Sequence, residues 1–248
     1  MSSLVSVIPL QGLPELEPSD DLGLLLHEAA MRAGGLVDGD VVVVAQKAVS
    51  KVEGRVVALA DVEPTERARA LAGHEGDPRH LEVILCESIA VVRSRPPLVI
   101  AETRHGFVCA SAGVDASNTP GEGLLVLLPL DPDGSARRLR GRLRELAGVD
   151  VGVIVSDSFG RAWRRGTTDV ALGVAGIAPL QDLRGTADAR GRELRTSHIA
   201  VADEIAGAAE LVMGKARQVP AAIVRGVDAR GDGSAAELVM PRERDLFR

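Results

Sequence analysis

Residues 153–169 limit this chain more than any other stretch. A run of aliphatic, largely β-branched residues, Val153, Ile154 and Val155, reads as a buried strand. It delivers an acid and a hydroxyl, Asp157 and Ser158, followed by Gly160, three arginines and the chain's single tryptophan, Trp163. A strand that carries a carboxylate and a hydroxyl to its end is a way to build a cation and phosphate site, because Mg2+ and Mn2+ take oxygen ligands and leave positions open. A second acid, Asp115, lies two residues past Gly113, with Ser117 and Asn118 after it. The two segments together predict distant parts of the chain sharing one divalent cation, the chemistry of nucleotide-dependent enzymes. For either aspartate taken singly, capping a turn or a helix is the alternative.

Composition narrows the classes further. A length of 248 residues, 46% of them hydrophobic, supports one large domain or two interlocked small ones. With no tyrosine and three phenylalanines, the core must be aliphatic, and stacking platforms for single-stranded nucleic acid are excluded. A net charge of -6 argues against a general polyanion surface, so any phosphate must be met locally. Cys86 and Cys109 lack CxxC spacing and sit among apolar residues, which predicts two buried, inert thiols rather than a disulfide or a zinc site. The five histidines form no metal-binding spacing. The first nine residues lack the basic start and apolar core of a secretory signal, and no apolar run reaches the ~20 residues that span a bilayer. The expectation is a cytoplasmic protein that meets neither membrane nor nucleic acid.

Periodicity and turn signals give the elements. Residues 4–10 read as a strand, and 22–33 as a helix opened by cap residues Ser19, Asp20 and Asp21 and closed by Gly34 and Gly35. Residues 41–44, four valines, read as a fully buried strand. Helices are predicted over 64–73 and from 79 into a strand at 89–92, with a hairpin of 98–102 and 106–110 around Arg104, His105 and Gly106. A strand at 123–129, an arginine-rich helix at 131–147 and a strand at 149–156 follow. Residues 173–180 are apolar and glycine-rich, 182–195 form a polar loop or hairpin, 199–213 a helix and 220–225 a last strand. Strands and helices mix without regular alternation, so the fold class is α+β, with mixed sheets and packed helices, over a single unit of residues 1–248.

Other groups bear on the chemistry. Gln46, Lys47, Ser50 and Lys51 follow a buried strand, which lets the lysines reach phosphate oxygens at a sheet edge; Lys51 alone also reads as a solvated lysine. The phosphate-binding fingerprints GxxxxGK[ST] and GxGxxG are absent, as is the nucleophile motif GxSxG. Asn118 fits either a phosphate or base contact or ordinary turn chemistry. Arg161, Arg164 and Arg165 beside Trp163 form either an anionic-substrate pocket or an exposed charged face.

These segments, with Gly12-Leu13-Pro14-Glu15 and Val201-Ala202-Asp203-Glu204, resemble in order the coenzyme F(420):L-glutamate ligase family over nearly the whole chain. The resemblance implies an amide-forming ligase that uses GTP to add L-glutamate, then further γ-linked glutamates, to the deazaflavin precursor F(420)-0 through an acyl phosphate. It implies an unusual α+β fold in an intertwined homodimer, with GTP and Mg2+ or Mn2+, two ions, in a groove. Residue by residue, Asp115 and Asp157 match the acids of the first metal and Ser158 the ligand of a second. Leu13, Pro14, Glu15, Leu16, Gln46, Lys51 and Asn118 match the GTP contacts; Gln46 stands where some relatives carry serine. Arg161, Trp163 and Arg164 are expected at the substrate. In actinobacterial relatives the ligase is fused to a flavin-binding, nitroreductase-like domain. The competing readings are a metal-dependent nucleotide hydrolase or phosphotransferase, and a non-catalytic deazaflavin-binding protein.

Overall fold

In the computed structural model, which describes residues 4–119 and 121–247, strand β1 (Ser6–Pro9) leads into helix α1 (Leu22–Arg32). Asp21 is the cap that forms: its carboxylate accepts from the Leu24 N–H at 3.0 Å, satisfying one of the free donors of the first turn. The helix stops where Gly34 and Gly35 take positive φ. Strand β2 (Val41–Ala45) runs directly into helix α2 (Gln46–Val52), so Gln46 and Lys47 open a helix at the strand's end. Next come β3 (Val56–Ala58), α3 (Glu66–Ala72), α4 (Pro78–Cys86), β4 (Ser88–Arg95), β5 (Leu98–Thr103), β6 (Val108–Ala110) and β7 (Leu124–Val126). The chain continues through α5 (Pro132–Ala147), β8 (Gly152–Arg161), β9 (Arg164–Ala175), β10 (Gln181–Asp182), β11 (His198–Ile199), α6 (Val201–Met213) and β12 (Ala221–Arg225).

The α+β expectation holds. A five-stranded sheet runs in the order β1-β12-β2-β8-β9, and only the β2–β8 pair is parallel. Strand alternation explains the four consecutive valines of β2: Val42 and Val44 pack with α1 and α5 on one face, while Val41 and Val43 pack with α6 on the other. A smaller layer of α3, α4, β3–β7 and the three-stranded sheet β4-β5-β6 has a third core of its own, around Leu81, Ile84, Val99 and Leu125. No helix among the described residues is long and apolar enough to cross a membrane.

Two expectations need correction. The strand read as 149–156 does not stop before Asp157; it runs to Arg161 and turns into the still longer β9, so the acid and hydroxyl lie inside a ladder. Threonines 167 and 168 and the charged tip gave no apolar signal, and cross-strand pairing overrides that polarity. The thiols also differ: Cys109 is buried and burial pushes it up to about 12, whereas Cys86, at the last residue of α4, is exposed.

The start of β2 and the end of β12 are locked by one buried pair. The Asp40 side chain accepts from Arg225 Nε and Nη2, each at 2.8 Å, and from the Val37 N–H at 2.9 Å. Arg225→Ala strands that carboxylate in the interior, at a cost on the order of 3 kcal/mol. The expected readout is a clearly lower urea midpoint, with an unchanged midpoint contradicting the assignment.

Candidate active site

Parallel pairing decides where the chemistry gathers. Because Ala45 registers with Ser156, β2 and β8 reach the same edge of the sheet side by side, and α2 starts there with Gln46 and Lys47. At that edge the Pro220 carbonyl accepts from the Ala45 N–H at 2.8 Å, and the Leu10 N–H reaches the Ala221 carbonyl at 2.9 Å. The segment after β1 and the segment before β12 therefore join the same rim. A groove of about 600 Å³ opens between them, closed on one side by the end of α6.

Leu13, Pro14, Glu15, Leu16, Gln46, Lys51 and Asn118 all line this groove, together with Asp157 and Ser158. Lys51 is ion-paired to Glu15, which ties the 13–16 segment to α2. Asn118, at positive φ, donates from Nδ2 to the Lys215 carbonyl at 3.2 Å and staples the loop before β7 to the segment after α6. Gln46 is 1% exposed; its Oε1 accepts from Ser50 Oγ at 2.9 Å, while Nε2 has no partner among the described residues. A buried amide left without an acceptor is costly, which marks Gln46 as an unsatisfied group in the groove's wall.

Asp115 lies just behind the wall. Lys47, which does face the groove, holds it: Nζ is 2.7 Å from Asp115 Oδ2 and 3.0 Å from Ser117 Oγ, and the Ser117 N–H donates to Asp115 Oδ1 at 2.6 Å. Burial pushes Asp115 upward, but Lys47 and the Ser117 N–H outweigh it and keep the carboxyl below its usual range. Asp157 goes the other way. Burial drives it up to about 7, against the Ser158 N–H and Lys47, and the charges of Asp115 and Asp169 add to the rise.

The charges of Lys47, Asp115 and Asp169 thus all act on Asp157. Among the described residues no group of three or more His, Cys, Asp or Glu stands ready to hold a metal. Carboxylates and a serine hydroxyl are hard-oxygen groups, the kind Mg2+ and Mn2+ take, unlike the Cys and His of zinc sites.

Asp169 and Ser156 also belong to the groove, and sequence reasoning gave neither a role. Asp169 registers opposite Ser158 across the β8–β9 hairpin, and reading residues 152–175 as one long hairpin would have paired them. Arg161, Trp163 and Arg164 stand apart. They occupy the exposed hairpin tip, where Trp163, 83% exposed, packs on Phe247 with ring centroids 4.6 Å apart. The structure does not bring them to the groove.

The Asp157 shift makes stability depend on pH. Its folded value lies above the ordinary one, so the folded state binds this proton more tightly, and the group's contribution falls as pH rises from about 4 to about 7. With a chelator present, Asp157→Asn is expected to change the melting temperature little at about pH 4 and to raise it at about pH 8. A variant that melts lower than the parent at the higher pH contradicts this.

A family model described as F420-0:Gamma-glutamyl ligase matches residues 12–226. The "Coenzyme F420:L-glutamate ligase" of Methanothermobacter thermautotrophicus is 44% identical over 98% of this chain and 99% of its own length. Proteins of the same name from Methanopyrus kandleri and Archaeoglobus fulgidus are 45% and 41% identical, each over 98% of this chain and over 97% and 96% of their own lengths. The chain belongs to the F(420)-0:gamma-glutamyl ligase family.

Proposed function

We propose that this chain is a ligase of F(420) biosynthesis that joins L-glutamate to F(420)-0 and extends the tail with further glutamates, using GTP and divalent cations. Family membership over nearly the full length carries the glutamate-ligating activity. The GTP and metal reading rests on one groove that gathers the 13–16 segment, Gln46, Lys51 and Asn118 with Asp157, Ser158 and the Lys47–Asp115 pair.

Amide formation from a carboxylate needs a leaving group better than oxide. In the proposed reaction a carboxylate oxygen of F(420)-0 attacks the γ-phosphorus of GTP, the bond to the β-phosphate oxygen breaks, and an acyl phosphate and GDP result. The glutamate amine then attacks the acyl carbon, loses a proton and expels phosphate. The chain's part is positioning and charge placement. Lys47 and Lys51 supply ammonium groups to phosphate oxygens, and the Gln46 Nε2 N–H groups supply neutral donors from a buried anchor. Leu13 and Leu16 give the groove apolar wall against water. Asp115 and Asp157 would hold one cation and Ser158 a second, and these ions when bound neutralise charge developing between the β- and γ-phosphate oxygens.

A homodimer is part of the proposal. Trp163, Leu246 and Phe247 are exposed, and Trp163 and Phe247 are in contact, the kind of apolar patch that marks an interaction surface.

Mass spectrometry of F(420)-0 incubated with the protein, GTP, Mn2+ and glutamate is expected to show a ladder of glutamyl additions. Asp157→Asn is expected to lower the rate about 100-fold or more, the usual loss for a group that stabilises transition-state charge. GTP loss that is independent of F(420)-0 and glutamate would instead identify a nucleotide hydrolase.

A further inference from the structure

Ser156, Asp169 and Ser158 form a chain of hydrogen bonds that leads from the sheet interior to the groove. Asp169 is 5% exposed and Ser156 is fully buried. A carboxylate only accepts, so both serine hydroxyls donate to it: Ser156 Oγ to Oδ2 at 3.1 Å and Ser158 Oγ to Oδ1 at 2.6 Å. The second is a short, charge-assisted bond, which fixes a rotor that water would otherwise leave free. Once its proton points at Asp169, the Ser158 oxygen has only lone pairs left to present to the groove.

The backbone holds this arrangement from behind. Leu172 is an extra residue in β9, because Val155 pairs with Gly173 and Ser156 with Ala171, and the resulting bulge sits next to the cluster. Asp203 of α6 accepts from the Ala171 N–H at 2.9 Å, and Gly207 lets the helix lie close over Thr168, where a Cβ would come within 3.3 Å of Oγ1. Asp169 stands between these two supports.

We infer that Asp169 is a positioning residue, anchored by Ser156, that turns Ser158 into a hard-oxygen ligand for a divalent cation in the groove. The inference rests on the cation reading of the proposed function and adds an outer partner to it. Outer partners of this kind usually change metal affinity by roughly 10- to 100-fold.

The test is Mn2+ binding to the whole chain, followed through the paramagnetic resonance signal of free Mn2+, with thermal melts to show that each variant is folded. Asp169→Asn leaves one serine without an acceptor, and it is expected to weaken Mn2+ binding by roughly 10-fold or more. Ser158→Ala is expected to weaken it similarly, and the double variant to be no weaker than Ser158→Ala alone, because Asp169 acts through that hydroxyl. Ser156→Ala, a small change within a strand, is expected to weaken binding in the same direction and to a lesser degree, which keeps the inference testable if Asp169→Asn does not fold. Parent-like affinity in Asp169→Asn or Ser156→Ala overturns the inference, and so do losses that multiply in the double variant, since Asp169 would then bind the ion itself. A parent protein that binds no Mn2+ overturns the cation reading as well; a parent that binds beside indifferent variants overturns only the role of Asp169.

Discussion

The site depends on two parallel strands that reach one rim side by side, where β2 ends and β8 runs on. In a sheet that is otherwise antiparallel, β2 and β8 run together so that Ala45 lies beside Ser156. Only a parallel pair places two outgoing chain segments at the same edge, here the start of α2 and the polar half of β8. Antiparallel pairing at this point would send Lys47 and Asp157 to opposite ends of the sheet. The neighbouring β12 contributes its incoming segment to the same rim, and β1 its outgoing one, so four separate stretches of sequence meet without any long loop crossing the sheet.

Around that rim, burial and charge oppose each other. Burial resists ionisation at both Asp115 and Asp157, more strongly at Asp157, and only Asp157 moves up, because Lys47 and Ser117 hydrogen-bond the first while Lys47 influences the second only through space. Single pairs of this sort rarely stabilise a fold by much. Their use here is to keep carboxylate oxygens close together at a place that packing alone would make apolar. The second lysine, Lys51, is placed the same way, with its charge answered by Glu15 from a segment that itself lines the groove.

Much of this was legible in the residues. Amphipathic spacing located α1, α5 and α6, with cap residues marking α1, and the four valines announced a strand buried on both faces, because each of those signals comes from local geometry that tertiary contacts reinforce. The residues expected at a nucleotide came from resemblance, and they line one groove. Periodicity was silent on the polar half of the β8–β9 hairpin, where the Ser156 and Ser158 hydroxyls meet Asp169 across the strands and the ladder carries β8 past the aliphatic run. The arginines near Trp163, legible as either an anionic-substrate pocket or an exposed charged face, take the second place: a strand carries residues away from Asp157 at about 3.3 Å per step, and the hairpin tip is exposed. Lys47 was visible only as one of several lysines, since its partner Asp115 is far off in sequence and arrives through the smaller layer.

That smaller layer has a consequence for motion. Asp115 hangs on it through a backbone bridge to Val126, next to Val114 and Leu125 of the third core, while Asp157 belongs to the central sheet. The two acids are thus rooted in separately packed bodies, and cooperative units of a protein can open one at a time. Transient loosening of the lesser body would withdraw one acid and leave five strands intact. A bound ion that bridged both acids would act as a rivet between the bodies, and amide exchange in β3–β7 would slow when the site is filled.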